Sequence, residues 1–213
     1  MEHCMAVSQT ALVYGTYLIA TASPGPSNMA IMGTAMRDGR RPALALAAGV
    51  VSGSLFWAVL AATGVSALLA ADAQALWLVK MAGGAYLLYL AVRAGRSAMG
   101  PASAMPAPRT DKGPWRYGLL YRQGMLMHIG NPKAILSWTA IISLGVQAGA
   151  PAGGLPTIVG GCVGLGILVF GGYAIAFSTA SMTALYARWR RRIEGTLSAV
   201  FALAGLKLLF WRS

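Results

Sequence analysis

The sequence predicts an all-α integral membrane protein: six transmembrane helices forming two inverted three-helix repeats, with helices 1 and 4 broken by proline. Three observations carry this. Apolar residues fill 57% of the 213 positions and charged residues only 10%, against about 45–50% and about 25% in a soluble domain. Six apolar runs follow one another with short gaps between them. Lys and Arg crowd into every second gap. The shortage of charge excludes a disordered chain, a fibrous repeat and an ordinary soluble enzyme.

The first run is roughly Ala11 to Met36, with Pro24, Gly25 and Pro26 in its middle. A cleaved signal peptide would need basic residues ahead of the run. Only Glu2 and His3 stand there, so the run is read as uncleaved. The second run is roughly Ala43 to Ala71, the third Leu76 to Val92 and the fourth Leu119 to Val146. The fifth is roughly Leu155 to Tyr186 and the sixth, short one Leu197 to Trp211. The stretch Gly95 to Gly118 holds Pro101, Pro106, Pro108 and Pro114 and reads as a flexible linker. The chain is thus one domain, 1–213: repeat one about 1–95, the linker about 96–117, and repeat two about 118–213.

Arg37, Arg40 and Arg41 lie between runs one and two. Arg93, Arg96, Arg109, Lys112, Arg116 and Arg122 lie between three and four, and Arg188, Arg190, Arg191 and Arg192 between five and six. The intervening gaps, near Asp72 and from Gln147 to Pro156, have no Lys or Arg. The positive-inside rule puts the basic gaps in the cytoplasm and both termini on the far side. Topology therefore accounts for the net charge of +12 without a nucleic-acid partner. Cys4 and Cys162 are far apart and form no metal or redox motif. No cofactor and no metal is expected.

Three spans per half is an odd number, so the second half lies inverted. Pro24 and Pro26 in span one and Pro132 in span four interrupt corresponding runs. Proline removes an N–H and clashes with the preceding turn, so it breaks or kinks a helix. Paired interruptions of this kind point to a transporter's binding site; two plain kinks are the other reading. Broken helices supply what a zwitterion needs, free N–H groups at one half-helix and free carbonyls at the other. Ser27 and Asn28 are placed to cap the resuming half-helix of span one, and Asn131 that of span four.

Lys133, inside span four, either holds a substrate carboxylate or snorkels to the headgroups. Lys80 and Lys207, near outer span ends, favour snorkelling. His128 is either a proton relay or a packed residue. Glu2, Asp38, Asp72, Asp111 and Glu194 all fall at ends or in loops, which leaves a carboxylate relay hard to build. Tyr86, Tyr89, Trp57, Trp138 and Tyr173 are candidate path-lining residues, while Trp77 and Trp211 suit an aromatic belt. The G-x-x-x-G pairs Gly49/Gly53 and Gly160/Gly164 predict close helix packing, with span five either an internal contact or a homo-oligomer face.

Thr21-Ala22-Ser23-Pro24-Gly25-Pro26-Ser27-Asn28, Arg37-Asp38-Gly39-Arg40-Arg41, Gly83-Gly84-Ala85-Tyr86-Leu87-Leu88-Tyr89-Leu90 and Gly130-Asn131-Pro132-Lys133-Ala134-Ile135-Leu136 carry a resemblance. Together they resemble the lysine exporter (LysE/RhtB) translocator family of bacterial inner-membrane amino-acid exporters, over essentially the whole chain. The resemblance implies efflux of amino acids or close derivatives, driven by the proton motive force, with protons as the coupling ion and no bound cofactor. The two interruptions make Pro24, Gly25, Pro26, Ser27, Asn28, Asn131, Pro132 and Lys133 the candidate substrate site, with Ser54 and Tyr86 as candidate path-lining residues. Two departures stand out. Ser54 follows Gly53 where members often carry an acidic residue, and Ser137-Trp138-Thr139 replaces an aromatic-rich run. Neither lysine nor threonine is therefore carried over as the substrate. Reading by residues alone, a channel or a non-transporting scaffold remains the alternative. An enzyme would need a nucleophile, base and electrophile stabiliser that the chain's two histidines and scattered acids do not assemble.

Overall fold

The computed structural model describes residues 2–23, 25–64, 73–100, 116–147 and 154–210. Pro24, the centre of the linker (101–115), Asp72 and the gap 148–153 lie outside them, as do the side chains of Lys80, Tyr86 and Lys207. The described residues are helical apart from the short connections between helices. The helices are α1 (Glu2–Ala22), α2 (Pro26–Asp38), α3 (Arg40–Ala62), α4 (Ala73–Met99), α5 (Tyr117–Ile129), α6 (Pro132–Gln147), α7 (Gly154–Ala176) and α8 (Ala180–Phe210). By length and composition α3 and α7 can each cross a bilayer alone.

Chain breaks follow local chemistry. α1 ends at Ala22 and α2 starts on Pro26, whose missing N–H costs nothing in a first turn. Gly39 separates α2 from α3 at φ 89°, a left-handed conformation that a side chain resists. α5 ends at Ile129 and α6 starts on Pro132, after Gly130 and Asn131. The fifth apolar run is not one helix. Ser178 Oγ donates to the Ile175 carbonyl (2.7 Å) and Thr179 Oγ1 to that of Ala176 (2.7 Å), closing α7. The Met182 N–H then donates to Thr179 Oγ1 (3.4 Å), opening α8. Arg188 to Arg192, expected in a loop, therefore sit inside α8, and Gly95, expected in the linker, sits inside α4.

α3 runs through the middle, packed on α2, α5, α6 and α7, while α4 and α8 form a long antiparallel pair that meets the bundle where α4 touches α6. The α3–α5 contact is made by glycine. A Cβ on Gly53 would lie 2.8 Å from the Met125 carbonyl oxygen and 2.9 Å from His128 Cβ. Cβ atoms on Gly49 and Gly124 would overlap the backbone of Tyr121 and Leu46. The glycine pair in α7 behaves differently, for Gly160 and Gly164 have nothing within 4 Å of an added Cβ.

Two apolar clusters hold the central bundle. One joins Val13 and Tyr17 of α1, Ala58 of α3, Trp138 and Ile141 of α6, and Cys162 of α7. The other joins Ile31 and Ala35 of α2, Leu46 and Val50 of α3, and Phe170 of α7. The order along α3 puts Gly53 and Ser54 between the clusters, at the level of both helix breaks. Outward, Leu12, Leu44, Val59, Leu168 and Leu203 are exposed, an apolar exterior suited to lipid.

At the α4–α8 contact Glu194 is buried, not a loop residue as its sequence position suggests. Tyr186 Oη donates to its Oε1 (2.6 Å), and Arg190 Nε lies 3.5 Å from the same oxygen. Arg190 Nη2 donates in turn to the Ser97 carbonyl (2.7 Å), tying α8 to the end of α4.

Candidate functional site

Buried polar side chains in a mostly apolar bundle demand partners, and five of them gather at one level. Ser27 and Asn28 start α2, Ser54 is mid-α3, His128 ends α5 and Asn131 precedes α6; all are at most 6% exposed. They line a pocket together with Tyr17, Thr21, Gly25, Lys133, Ser137, Trp138 and Phe170, among others.

The C-terminal end of α1 has lost its helical acceptors' partners and regains them from other elements. Asn28 Nδ2 donates to the Thr21 carbonyl (2.9 Å) and the Ser23 carbonyl (3.2 Å). Tyr173 Oη donates to the Ala22 carbonyl (2.8 Å). Lys133 Nζ donates to the Ser23 carbonyl, so the start of α6 grips the end of α1. Cations suit a helix C-terminus, where the carbonyl dipoles converge. The end of α5 is treated likewise, Trp57 Nε1 donating to the Ile129 carbonyl (3.1 Å).

The helix starts face the pocket through Gly25, Ser27 and Asn28 on α2 and through Asn131 and Lys133 on α6. The capping expectation splits here. Asn131 Oδ1 accepts the Lys133 N–H (3.1 Å), a cap on α6. α2 has no side-chain cap, because its N-cap position is Gly25; Ser27 and Asn28 lie inside the first turn and bond elsewhere. Ser27 Oγ lies 2.9 Å from His128 Nδ1 and accepts from Asn131 Nδ2 (3.4 Å). One serine thereby joins the start of α2 to both sides of the second break. The first-turn N–H groups of α2 lack a side-chain cap and carry the positive end of a helix dipole. Lys133 lines the pocket beside them, so positive charge gathers at this end.

The opposite end is neutral. Trp138 Nε1 donates to Ser54 Oγ (2.9 Å), which lies 3.5 Å from Tyr17 Oη. The Tyr17 and Trp138 rings pack 5.2 Å apart between centroids. Among the described residues no group of His, Cys, Asp or Glu is arranged to hold a metal.

The structure thus brings together Gly25, Ser27, Asn28, Ser54, His128, Asn131 and Lys133. Pro26 and Pro132 begin the two flanking helices. Pro24 and the Tyr86 side chain lie outside the described residues. Tyr89 points outward, 57% exposed. Sequence reasoning missed Tyr17, Thr21, Ser137 and Phe170. Tyr17 is one turn before Thr21, and Ser137 one turn after Lys133, so helical spacing from the marked residues would have found them. Phe170 has no local signal; only packing of α7 brings it in.

A family model described as LysE type translocator matches residues 18–211. The threonine efflux protein of Escherichia coli K12 is 27% identical over 197 residues, covering 92% of this chain and 95% of the relative. An uncharacterized membrane protein of the same strain is 26% identical over 200 residues (93% and 88%). An uncharacterized membrane protein of Pseudomonas aeruginosa is 30% identical over 192 residues (84% and 83%). No solved structure matches the chain.

Proposed function

The chain belongs to the LysE type translocators, and from that premise we propose that it is a secondary active exporter of amino acids or their derivatives across the bacterial inner membrane. Membership of a translocator family and similarity to threonine efflux proteins support amino-acid export in general. They also speak for transport over catalysis.

The observation that carries the finer reading is the pocket between two helix interruptions, with Lys133 and an uncapped helix start at one end. α2 and α6, at 13 and 16 residues, are about 20 and 24 Å long, too short for a core of about 30 Å. α2 therefore completes a crossing begun by the apolar part of α1, Ala11–Ala22, and α6 one begun by α5. With α3, α4, α7 and α8 this makes six spans in two inverted halves. The basic residues at the α2–α3 junction, the end of α4, the start of α5 and the first half of α8 take the cytoplasmic side, leaving both termini periplasmic.

In this mechanism the substrate carboxylate binds Lys133 and the free amides of α2. An ammonium has three donors, so Lys133 holds a carboxylate without leaving Ser23. Rocking of the two halves about the interruptions exposes the pocket to each side in turn. The proton motive force drives the cycle, and His128, bonded to Ser27 at the junction of the halves, is the proton relay.

The test is export from dipeptide-fed bacterial cells expressing the protein, with amino acids in the medium quantified by mass spectrometry. The expected result is release of one or a few amino acids well above empty-vector cells, abolished by a protonophore. Release that survives the protonophore would identify an uncoupled channel. No release of any amino acid or derivative would overturn the export reading.

A further inference from the structure

The pocket has a place for a carboxylate and none for a second positive charge. The whole chain holds five acidic residues, Glu2, Asp38, Asp72, Asp111 and Glu194. Among the described residues none of them lines the pocket. Asp38 is paired with Arg37 at the end of α2 (2.7 Å), and Glu194 is engaged by Tyr186 and Arg190 at the α4–α8 contact. The charge within the pocket wall is the ammonium of Lys133.

A substrate whose carboxylate meets Lys133 extends its side chain along α6. Ser137 lies one turn on, and Trp138 lies about 7.5 Å from Lys133 along the axis at about 1.5 Å per residue. The wall there is Trp138, Tyr17 and Ser54. Trp138 is 1% exposed and belongs to an apolar cluster, so it does not yield easily. Ser54 Oγ already accepts the Trp138 N–H. A hydroxyl or an aliphatic group fits such a wall. A lysine or arginine side chain would leave water without an anionic partner, a strongly unfavourable transfer.

We infer that this pocket takes amino acids with uncharged side chains and rejects dibasic ones, and that the neutral Ser54–Trp138 pair at its deep end sets this choice. The inference rests on the amino-acid export reading above.

Solute counterflow tests it without requiring a known coupling ion. Purified protein in liposomes loaded with excess unlabelled threonine, or leucine, or lysine, is given the same amino acid labelled outside. Threonine or leucine is expected to accumulate, with lysine at least 100-fold slower. Ser54→Asp places a carboxylate at the deep end and is expected to raise lysine counterflow at least tenfold, while Ser54→Asn leaves it low. If Ser54→Asp does not fold, the wild-type comparison still decides. Wild-type lysine counterflow equal to that of threonine and leucine overturns the inference while leaving the export reading intact. Failure of all three amino acids overturns the inference for threonine and leucine, and the export reading falls with it if cells also release no amino acid or derivative.

Discussion

Lys133→Ala lowers amino-acid export by about 100-fold or more while the protein still inserts into the membrane. The side chain reaches from the first turn of α6 to the Ser23 carbonyl at the end of α1, with its stem 3.2 Å from where a Cβ on Gly25 would sit. In the proposed cycle it also holds the substrate carboxylate. A hydrogen bond to a charged group contributes about 1.5–3 kcal/mol, and each 1.4 kcal/mol is about tenfold. Losing the substrate contact and the tie between the helix breaks together accounts for the factor. Export rate set against membrane abundance by immunoblot checks it. Near-normal export by the variant would move the carboxylate site elsewhere.

Gly49→Leu destroys the folded protein, and Gly160→Leu does not. Both glycines belong to G-x-x-x-G pairs that look equivalent in sequence. Gly49 faces the Tyr121 backbone on α5, where even one methyl group overlaps, whereas Gly160 faces open space. Overpacking in a tight contact typically costs about 1–3 kcal/mol and sometimes more. Here the obstacle is backbone, which cannot swing aside as a side chain does. Because α5 ends in His128, separating α3 from α5 also pulls the pocket apart. Size-exclusion profiles and thermal unfolding in detergent are expected to show aggregation or a large loss of stability for Gly49→Leu, with a profile close to wild type for Gly160→Leu. Equal behaviour of the two variants would deny α5 its close seat on α3.

Composition was enough to read a membrane protein, because a chain this poor in charge has too few ionic side chains to cover a water-facing surface, and the length of the apolar runs made the spans helical. Motif spacing was enough to mark Ser27, Asn28, Asn131 and Lys133, since a proline inside an apolar run frees backbone groups that nearby polar residues must meet. What spacing cannot carry is partner choice. Ser27 and Asn28 were expected to cap α2, yet Ser27 engages His128 and Asn28 closes α1. Those bonds join residues on different helices, and nothing local encodes them. The same limit hid Glu194. It sits in a basic stretch that reads as a loop, until Tyr186 and Arg190 on successive turns of α8 enclose it. The boundary after Ala176 was legible in principle, for Ser178 and Thr179 are strong turn and cap residues. The apolar character of the surrounding run masked them.

The central claim is that substrate occupies the pocket between the helix interruptions. Ser137 lines that pocket, one turn beyond Lys133. With Cys4 and Cys162 replaced by serine and alanine, Ser137→Cys provides a single thiol there, and its alkylation by a small membrane-permeant maleimide can be timed. Saturating amino acid that supports counterflow is expected to slow the labelling several-fold, and a non-transported amino acid to leave it unchanged. An unaltered rate in a variant that still transports would contradict the account, because it would put the substrate outside this pocket.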